Sequence, residues 1–300
     1  MKVVVFGGSG FLGSHTADSL TEKGHEVTIV DINDAPYLKE GQKFVKGSIL
    51  DMDLIDSVVR EAEIVMNFAG IADLDDASTR PRDTITLNIL GTCNILEACN
   101  KYNVRRFIYA STFYVHSDKG GFYRCSKQAT ELYIEEFNRK YNLPFTILRY
   151  GTLYGPRSTN KNSINRYITQ ALSDDVIICN GTGNEIREYI HVKDAADLTT
   201  EVINEKYLNQ HIIITGHQSM RTRDMLNMIK DILGKDVDIS YRGIKSETHY
   251  NITPFSFKPK FNVKLVGNCY RDMGQGLLES IHDIYEADDD NYKKLEEYKV

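Results

Sequence analysis

The apolar residues of this chain follow two spacings that alternate along the sequence. Short runs rich in β-branched residues begin at Val3–Val5 and recur at intervals. Between them, apolar residues fall three or four positions apart, as at Phe11, Leu12, Ala17 and Leu20. The first spacing is typical of buried strands and the second of amphipathic helices. Further strand candidates are HEVTIVD, FVKGSIL, EIVMNFAG, RRFIYAST and FTILRYG. Strands that alternate with helices predict a parallel sheet covered by helices on both faces.

The pattern changes after about Tyr154. Shorter strand-like pieces then mix with helical pieces such as RDMLNMIKDIL. We therefore predict a main α/β domain at 1–154, with a return segment near 185–205. Residues 155–300 are predicted to form mainly a smaller α/β lobe on the C-terminal side. Such a lobe would rest on the carboxyl edge of the sheet, where open α/β sheets bind ligands.

Composition narrows the class of protein. The chain has 300 residues, 41% hydrophobic and 26% charged, which is ordinary for a globular protein. A net charge of −6 argues against general nucleic-acid binding, and no apolar run is long enough for a membrane span. The five cysteines form no C-x-x-C pair, which indicates reduced thiols, a cytoplasmic location and no metal site. They are Cys93, Cys99, Cys125, Cys179 and Cys269.

A glycine-rich turn follows the first strand and opens the first helix. Gly7, Gly10 and Gly13 are three apart, and glycines let a pyrophosphate approach the backbone at a helix N-terminus. Asp31 ends the second strand eighteen residues after Gly13, where a carboxylate can accept hydrogen bonds from a ribose 2′-hydroxyl. The same charge would repel a 2′-phosphate, and INDAPY offers no Arg or Lys. These features predict a Rossmann-type doubly wound sheet that binds NAD rather than NADP.

A hydroxyl, a tyrosine and a lysine lie close together in ASTFYVHSDKGGFYRCSK (110–127). Tyr123 and Lys127 are four apart and share a helix face, so the ammonium is expected to lower the phenol pKa. Thr112 or Ser111, at the preceding strand end, offers a hydroxyl to the same substrate oxygen. Such a trio can move a proton on an alcohol while its carbon exchanges hydride with NAD. On its own, a tyrosine four residues before a lysine is more often a pair on a helix surface. The dinucleotide loop earlier in the chain favours the catalytic interpretation.

The whole set of motifs resembles the extended short-chain dehydrogenase/reductase superfamily, and within it the NAD-dependent nucleotide-sugar epimerases and dehydratases, which include the UDP-glucose 4-epimerases. The resemblance covers nearly the whole chain. It rests on GGSGFLG (7–13), Asp31, NFAG (67–70), LNILGT (87–92), AST (110–112), YRCSK (123–127), LRYGTLYGPR (148–157) and REYIHVKDAA (187–196).

The resemblance implies roles for individual residues. Tyr123 would be the acid/base, with Lys127 beside it and Thr112 on the sugar hydroxyl. The nucleotide sugar would be held by Arg187 and Thr152, with Arg242 as a second phosphate ligand. The residues implied to contact NAD are Gly7, Gly10, Phe11, Leu12, Gly13, Asp31, Ser48, Ile49, Phe68, Ala69, Gly70, Tyr123 and Lys127.

Two positions bear on the reaction. The family's 4,6-dehydratases follow the catalytic threonine with an aspartate and a glutamate, whereas this chain has Phe113 and Tyr114. A 4-epimerase needs no such pair, so the resemblance favours NAD-dependent C4 epimerisation of a nucleotide sugar. A ketoreductase or decarboxylase of the same family and a non-catalytic NAD-binding sensor are the alternatives.

The sequence also departs from its relatives. The loop between Thr112 and Tyr123 is short, Ser48 stands where many have aspartate, and Thr152 where many have asparagine. The nucleotide and the sugar therefore stay open. Family members commonly dimerise through two helices, here about 83–101 and 123–141, which predicts a homodimer. The apolar positions on them could equally serve the core: Leu87, Ile95, Leu96, Leu132, Ile134 and Phe137.

Overall fold

The structure is a computed structural model that describes residues 1–217, 219–244, 249–252, 263–265 and 271–297. Cys269 lies outside these ranges. The described cysteines, Cys93, Cys99, Cys125 and Cys179, are free thiols.

A parallel sheet forms the centre of the molecule. In the described residues it has eight strands in the order β13-β10-β6-β5-β4-β1-β2-β3, and every pairing is parallel. Its strands are Lys2–Phe6 (β1), Glu26–Asp31 (β2), Gln42–Lys46 (β3), Ile64–Asn67 (β4), Arg106–Thr112 (β5), Phe145–Tyr150 (β6), Gln210–Ile214 (β10) and Val263–Leu265 (β13). The order 3-2-1-4-5-6 is that of a Rossmann sheet. The predicted α/β doubly wound fold is confirmed.

Some helices cover both faces of this sheet, and others belong to the C-terminal lobe. They are Phe11–Glu22 (α1), Met52–Val59 (α2), Leu74–Thr79 (α3), Pro81–Thr84 (α4), Gly91–Lys101 (α5), Gly121–Tyr141 (α6), Ser163–Ser173 (α7), Val192–Glu201 (α8), Thr222–Leu233 (α9) and Met273–Glu297 (α10). A π-helical stretch, Ile85–Leu90, joins α4 to α5, and short 3₁₀ turns occur at Phe113–His116 and Glu205–Tyr207.

Strand alternation explains the two apolar layers. Val3 and Val5 face the side covered by α1 and α8, whereas Val4 and Phe6 face the side covered by α2, α5 and α6. Successive strand residues point to opposite faces, so a run that is apolar throughout marks a strand buried on both sides. The predicted return segment contains α8, which packs against α1.

A third apolar cluster holds the C-terminal lobe together. It joins α7, α9 and α10 to two small sheets. One sheet has the order β11-β9-β7 and the other pairs β12 with β8. These strands are Thr152–Tyr154 (β7), Val176–Cys179 (β8), Ile186–His191 (β9), Ser219–Arg221 (β11) and Asp238–Tyr241 (β12). The main sheet also contains β10 and β13, which lie within 155–300 but outside the predicted return segment near 185–205. More of the range 155–300 therefore belongs to the main sheet than the sequence predicts.

The ends of α6 follow from local chemistry. Gly120 precedes the helix and Gly121 is its first residue, with φ of +96° and +49°, a region that favours glycine. Arg139 and Lys140 lie in the last turn, and Asn142 ends the helix with φ +58°. Cations and a left-handed residue are typical of a helix C-terminus. The sequence thus sets the start of the helix that carries Tyr123 and Lys127.

Membrane-spanning helices and metal clusters are both absent from the described ranges. No helix in these ranges has the length and apolar character that a membrane span needs. The same ranges also contain no group of three or more His, Cys, Asp or Glu side chains arranged to hold a metal ion.

Candidate active site

The candidate site lies at the carboxyl edge of the main sheet. The glycine loop follows β1, Asp31 ends β2, Phe68–Gly70 follow β4 and Thr112 ends β5. Since these strands are parallel and adjacent, their carboxyl ends meet at one edge. Residues far apart in sequence are thereby brought together.

The glycine loop has no room for side chains at two positions. A Cβ on Gly7, whose φ is +77°, would lie 2.5 Å from the backbone nitrogen of Ala69. A Cβ on Gly13 would lie 2.1 Å from the carbonyl oxygen of Gly7. At the start of α1, Gly10 supplies no side-chain cap to the first N–H groups. These groups remain for a ligand, and a helix N-terminus suits a pyrophosphate. Phe11 and Leu12 form the first turn of α1, where their backbone N–H groups belong to this set.

Asp31 is held in place by the same loop. Its Oδ2 accepts a hydrogen bond from the backbone N–H of Ser9 at 3.1 Å, and its Oδ1 accepts one from Asn33 N–H at 3.0 Å. Each carboxylate oxygen has a second lone pair, so a ribose hydroxyl can still donate to Asp31. The residues present therefore fit a dinucleotide with a free 2′-hydroxyl.

The other residues predicted to contact NAD line the neighbouring strand ends. Ser48 and Ile49 follow β3, and Ile49 is buried against Gly91. The backbone of Phe68 continues the pairing with β1. Ala69 donates its N–H to the side chain of Asn67. Gly70 has φ +139° and leads the chain into the site.

The structure separates the two hydroxyl candidates on β5. Ser111 Oγ donates to Glu131 at 2.6 Å in a buried contact on the far side of the strand. Thr112 instead lies beside Tyr123, where its hydroxyl lowers the Tyr123 pKa, and its Oγ1 accepts a hydrogen bond from Tyr114 N–H at 3.3 Å. Alternation of side chains along the strand accounts for the difference.

Lys127 lies one helical turn beyond Tyr123 and is also buried. Its Nζ donates to Ala110 O at 2.7 Å and lies 5.8 Å from the centre of the Tyr123 ring. Burial lowers the pKa of Lys127 to about 8. Burial likewise raises the pKa of Tyr123 to about 12, although the hydrogen bond from Thr112 acts in the opposite direction.

The pKa of Tyr123 is therefore raised, whereas the sequence analysis expects Lys127 to lower it. Desolvation of a phenolate is the larger effect here, since the ring is 9% exposed. Without a further positive charge, Tyr123 carries its proton at neutral pH. In this state the phenol can donate a proton, and it can accept one only after it has lost its own.

Asn88 is a site residue that the sequence analysis did not single out. It is buried in the π-helical stretch, accepts from Ile71 N–H at 2.7 Å, and donates to Ile71 O and Ser126 Oγ. Ser126 lies between Tyr123 and Lys127 on α6. Asn88 thus ties the loop after β4 to the helix that carries these two residues. An amide within the apolar motif LNILGT was the available signal.

The side of the site toward the C-terminal lobe is aromatic. Tyr114 lies 6.2 Å from Tyr123 and 4.7 Å from Tyr250 between ring centres, and its hydroxyl contacts His249 Nδ1 at 2.8 Å. Arg187, on β9, stacks on Tyr250 at 4.5 Å and donates to its carbonyl oxygen at 2.5 Å. Tyr250 and Tyr114 thus connect Arg187 to Tyr123 through a series of side-chain contacts.

Thr152 and Arg242 differ in position. Thr152 is half-buried on β7 and pairs with Tyr189 of β9, so it belongs to the same sheet as Arg187. Arg242 is exposed after β12 and donates its backbone N–H to Cys179 O. Thr152 thus shares a sheet with Arg187, whereas Arg242 follows a strand of the two-stranded sheet β12–β8.

Comparison with known proteins agrees with this geometry. The sequence model of the "NAD dependent epimerase/dehydratase family" matches residues 3–215, more than half of the chain. A UDP-N-acetyl-alpha-D-glucosaminuronate decarboxylase of Bacillus cytotoxicus is 30% identical over 251 residues, which are 74% of this chain and 76% of that protein. A Methanocaldococcus jannaschii protein provisionally named a UDP-glucose 4-epimerase is 29% identical over 253 residues, 77% of this chain and 82% of that protein.

Solved structures share the fold. A UDP-glucuronic acid 4-epimerase of Bacillus cereus superimposes with a TM-score of 0.84 at 23% identity, covering 96% of this chain and 100% of that chain. The family model covers the glycine loop, Asp31 and the segment that carries Thr112, Tyr123 and Lys127, and the solved structure shares the fold. The chain therefore belongs to the NAD-dependent epimerase/dehydratase family, and NAD is its cofactor.

Proposed function

We propose that the protein epimerises a nucleotide sugar at C4, through a transient 4-keto sugar, with Tyr123 as the acid/base. One observation carries the proposal: Thr112, Tyr123 and Lys127 meet at the sheet edge beside the glycine loop. Phe113 and Tyr114, which follow Thr112, supply no carboxylate for elimination of water. Phe113 is fully buried in the core.

The proton steps follow from the contacts of these side chains. NAD held by the glycine loop and Asp31 would supply an acceptor for the hydride of the sugar carbon and a donor that returns it to the opposite face of that carbon, and its positive ring would favour the phenolate of Tyr123. Tyr123 takes the hydroxyl proton as the alcohol becomes a ketone, and gives it back when the alcohol re-forms. Thr112 donates a hydrogen bond to the same oxygen, and the Lys127 ammonium stabilises negative charge on Tyr123.

The nucleotide part is assigned to the aromatic side. A guanidinium presents a fork of donors that suits a diphosphate, and Arg187 is the candidate, with Thr152 beside it. In this structure Arg187 donates to Tyr250 O. This bond uses one of the five N–H donors of the guanidinium, so other donors of Arg187 can bind a diphosphate.

A decarboxylase is the second candidate. It is favoured by the 30% identity to a nucleotide-sugar decarboxylase. Such a reaction would begin with the same oxidation by the same trio, but a uronate would lose its carboxylate at the keto stage. A ketoreductase would use the trio with stoichiometric reductant.

Proton NMR separates these activities. UDP-glucose, UDP-galactose, UDP-glucuronic acid and other nucleotide sugars are each incubated with the protein and trace NAD, without reductant. Growth of a C4 epimer while NAD stays oxidised is the expected result. Loss of a carboxylate carbon would assign the decarboxylase. Turnover only of a keto-sugar with NADH would assign the ketoreductase and overturn the proposal.

We also propose that the protein is a homodimer. Exposed apolar side chains lie on the segment 85–90 and on α6, which pack side by side. They are Ile85, Leu90, Phe122, Leu132 and Tyr133. Of the apolar positions that the sequence analysis left open, Ile95, Leu96 and Ile134 lie in the core, whereas Leu132 is exposed. Large exposed apolar patches are typical of protein interfaces.

A further inference from the structure

The last three residues of β5 all contact one face of α6. Their partners on α6 are four residues apart, so they lie along one side of the helix. The contacts are Ala110 O with Lys127 Nζ at 2.7 Å, Ser111 Oγ with Glu131 Oε1 at 2.6 Å, and Thr112 with Tyr123. Two of these helix residues have roles in the proposed function. Glu131, the third, has none.

Glu131 is held rigidly although it is buried. It is 2% exposed, and Arg149, which is 0% exposed, binds both of its oxygens at 3.0 and 2.6 Å. Arg149 on β6 is the register partner of Ser111 on β5, so both side chains reach Glu131 from the same face of the sheet. A bidentate guanidinium–carboxylate pair has a defined geometry.

The remaining donors of Arg149 are also engaged. Its Nη1 lies 3.2 Å from His116 Nε2, and its Nη2 lies 2.9 Å from His211 Nδ1. A guanidinium only donates, so both imidazole nitrogens accept. On its other side, His211 Nε2 lies 3.1 Å from Glu135. Arg149 cannot turn away from Glu131 without losing these bonds.

Glu131 is also the charge that acts on Lys127. Burial favours the neutral amine of Lys127, and Glu131 raises the pKa of Lys127 against that effect. The rings of Tyr109 and Tyr123 also lie near the ammonium, and the Arg149 guanidinium binds Glu131 from β6. Burial raises the pKa of each phenol, so they carry no charge at neutral pH. Glu131 thus supplies the negative charge.

We propose that Glu131, fixed by Arg149 and Ser111, is a positioning residue that keeps Lys127 in its ammonium form and holds α6 against the end of β5. The consequence for turnover rests on the proposed function. The effect on Lys127 does not, because it depends only on the protein.

The test is the titration of Lys127 in Glu131→Gln. Glutamine keeps the size and one oxygen of the side chain but removes the charge. NMR of protein labelled with ¹³C at lysine Cε follows the Lys127 signal, assigned by its loss in Lys127→Ala. The midpoint is expected to fall by about one pH unit or more. Glu136→Gln is the matched control, since Glu136 is an exposed residue of the same helix paired with Arg139.

A second variant guards against misfolding. Glu131→Gln leaves Arg149 buried without a counter-charge, whereas Glu131→Gln with Arg149→Met removes both charges. The double variant is expected to show a fall as well, because it also lacks the Glu131 charge that raises the Lys127 pKa, but a smaller one, because Glu131→Gln alone leaves the positive charge of Arg149 uncompensated. An unchanged Lys127 midpoint in either folded variant would overturn the inference.

Kinetics separates this inference from the proposed function. With a nucleotide sugar that the wild type turns over, kcat of Glu131→Gln is expected to fall at least tenfold with KM unchanged. The alkaline limb of its pH profile would move to lower pH, because Lys127 loses its proton earlier. If the wild type turns over no nucleotide sugar, the proposed function fails, and the NMR titration alone decides the role of Glu131.

Discussion

At the scale of single residues, burial decides the state of Tyr123. Burial raises its pKa to about 12, so the phenol is protonated in the protein alone. We expect Tyr123→Phe to reduce turnover by about 10²–10⁴-fold, the usual contribution of a general acid or base. NAD affinity should change little, since the ring is kept. Steady-state kinetics and calorimetry measure the two effects.

Tyr141→Phe is the control for that substitution. Tyr141 ends the same helix and is exposed, so the change removes a hydroxyl far from the site. Full activity is expected. Wild-type turnover by the Tyr123→Phe variant would show that Tyr123 is not the acid/base of the reaction.

We propose that the carboxylate of Asp31 determines the choice of NAD over NADP. Asp31→Asn keeps the size of the side chain but removes the charge that suits a ribose hydroxyl and repels a phosphate. NAD affinity is expected to fall about tenfold or more, and the ratio of the NAD affinity to the NADP affinity is expected to decrease. Titration calorimetry with both nucleotides measures this. Asp34→Asn, at an exposed position three residues on, should leave both affinities unchanged. An unaltered NAD to NADP ratio in Asp31→Asn would exclude this role.

At the scale of elements, the turn from β1 into α1 admits no Cβ at Gly13. Alanine there would meet Gly7 O at 2.1 Å, and a backbone atom cannot give way as a side chain can. We expect Gly13→Ala to abolish NAD binding and to lower the melting temperature. Gly24→Ala provides the comparison, since Gly24 has φ +78° but nothing within 4 Å of an added Cβ. It should cost about 1–2 kcal/mol of stability and leave NAD binding intact. Equal NAD affinities of the two variants would contradict the proposed loop.

The π-helical stretch Ile85–Leu90 is held by Asn88. Asn88→Ala would leave the buried N–H and C=O of Ile71 without partners. The free energy of unfolding is expected to fall by about 2–4 kcal/mol, with weaker NAD binding because the loop after β4 is released. Urea unfolding and calorimetry test this. Asn94→Ala loses one bond, to Ile49 O, and should cost about 1 kcal/mol. A cost no greater than that of Asn94→Ala would show that Asn88 does not anchor the loop.

Local patterns predicted the elements, and tertiary contacts decided what the patterns left open. The glycine turn, Asp31 and the Tyr123–Lys127 spacing could be read directly because strand and helix periods are local. The choice between Ser111 and Thr112 depends on which face of β5 meets Tyr123. The sign of the Tyr123 pKa shift depends on burial, and the role of Arg149 depends on the pairing of β5 with β6. None of these is encoded in spacing alone.

At the scale of the whole molecule, the sheet continues beyond the six Rossmann strands. Strand β10 pairs with β6, and β13 pairs with β10, although both follow the start of the C-terminal lobe. The chain therefore crosses between the lobes more than once, and α8 returns to pack on α1. This connectivity joins the lobe that carries Arg187 to the sheet that carries Tyr123. Substrate and cofactor groups are thus presented by one continuous framework.

The exposed face of α6 carries the proposed dimer interface. Leu132 is 57% exposed there, and burial of an apolar side chain of this size contributes about 1.5–3 kcal/mol. We expect the wild type to elute as a dimer in size-exclusion chromatography with light scattering, and Leu132→Glu to elute as a monomer near 34.2 kDa. Leu278→Glu is the matched control, because Leu278 is also 57% exposed but lies on α10. A dimer that survives Leu132→Glu but not Leu278→Glu would place the interface on the C-terminal lobe instead.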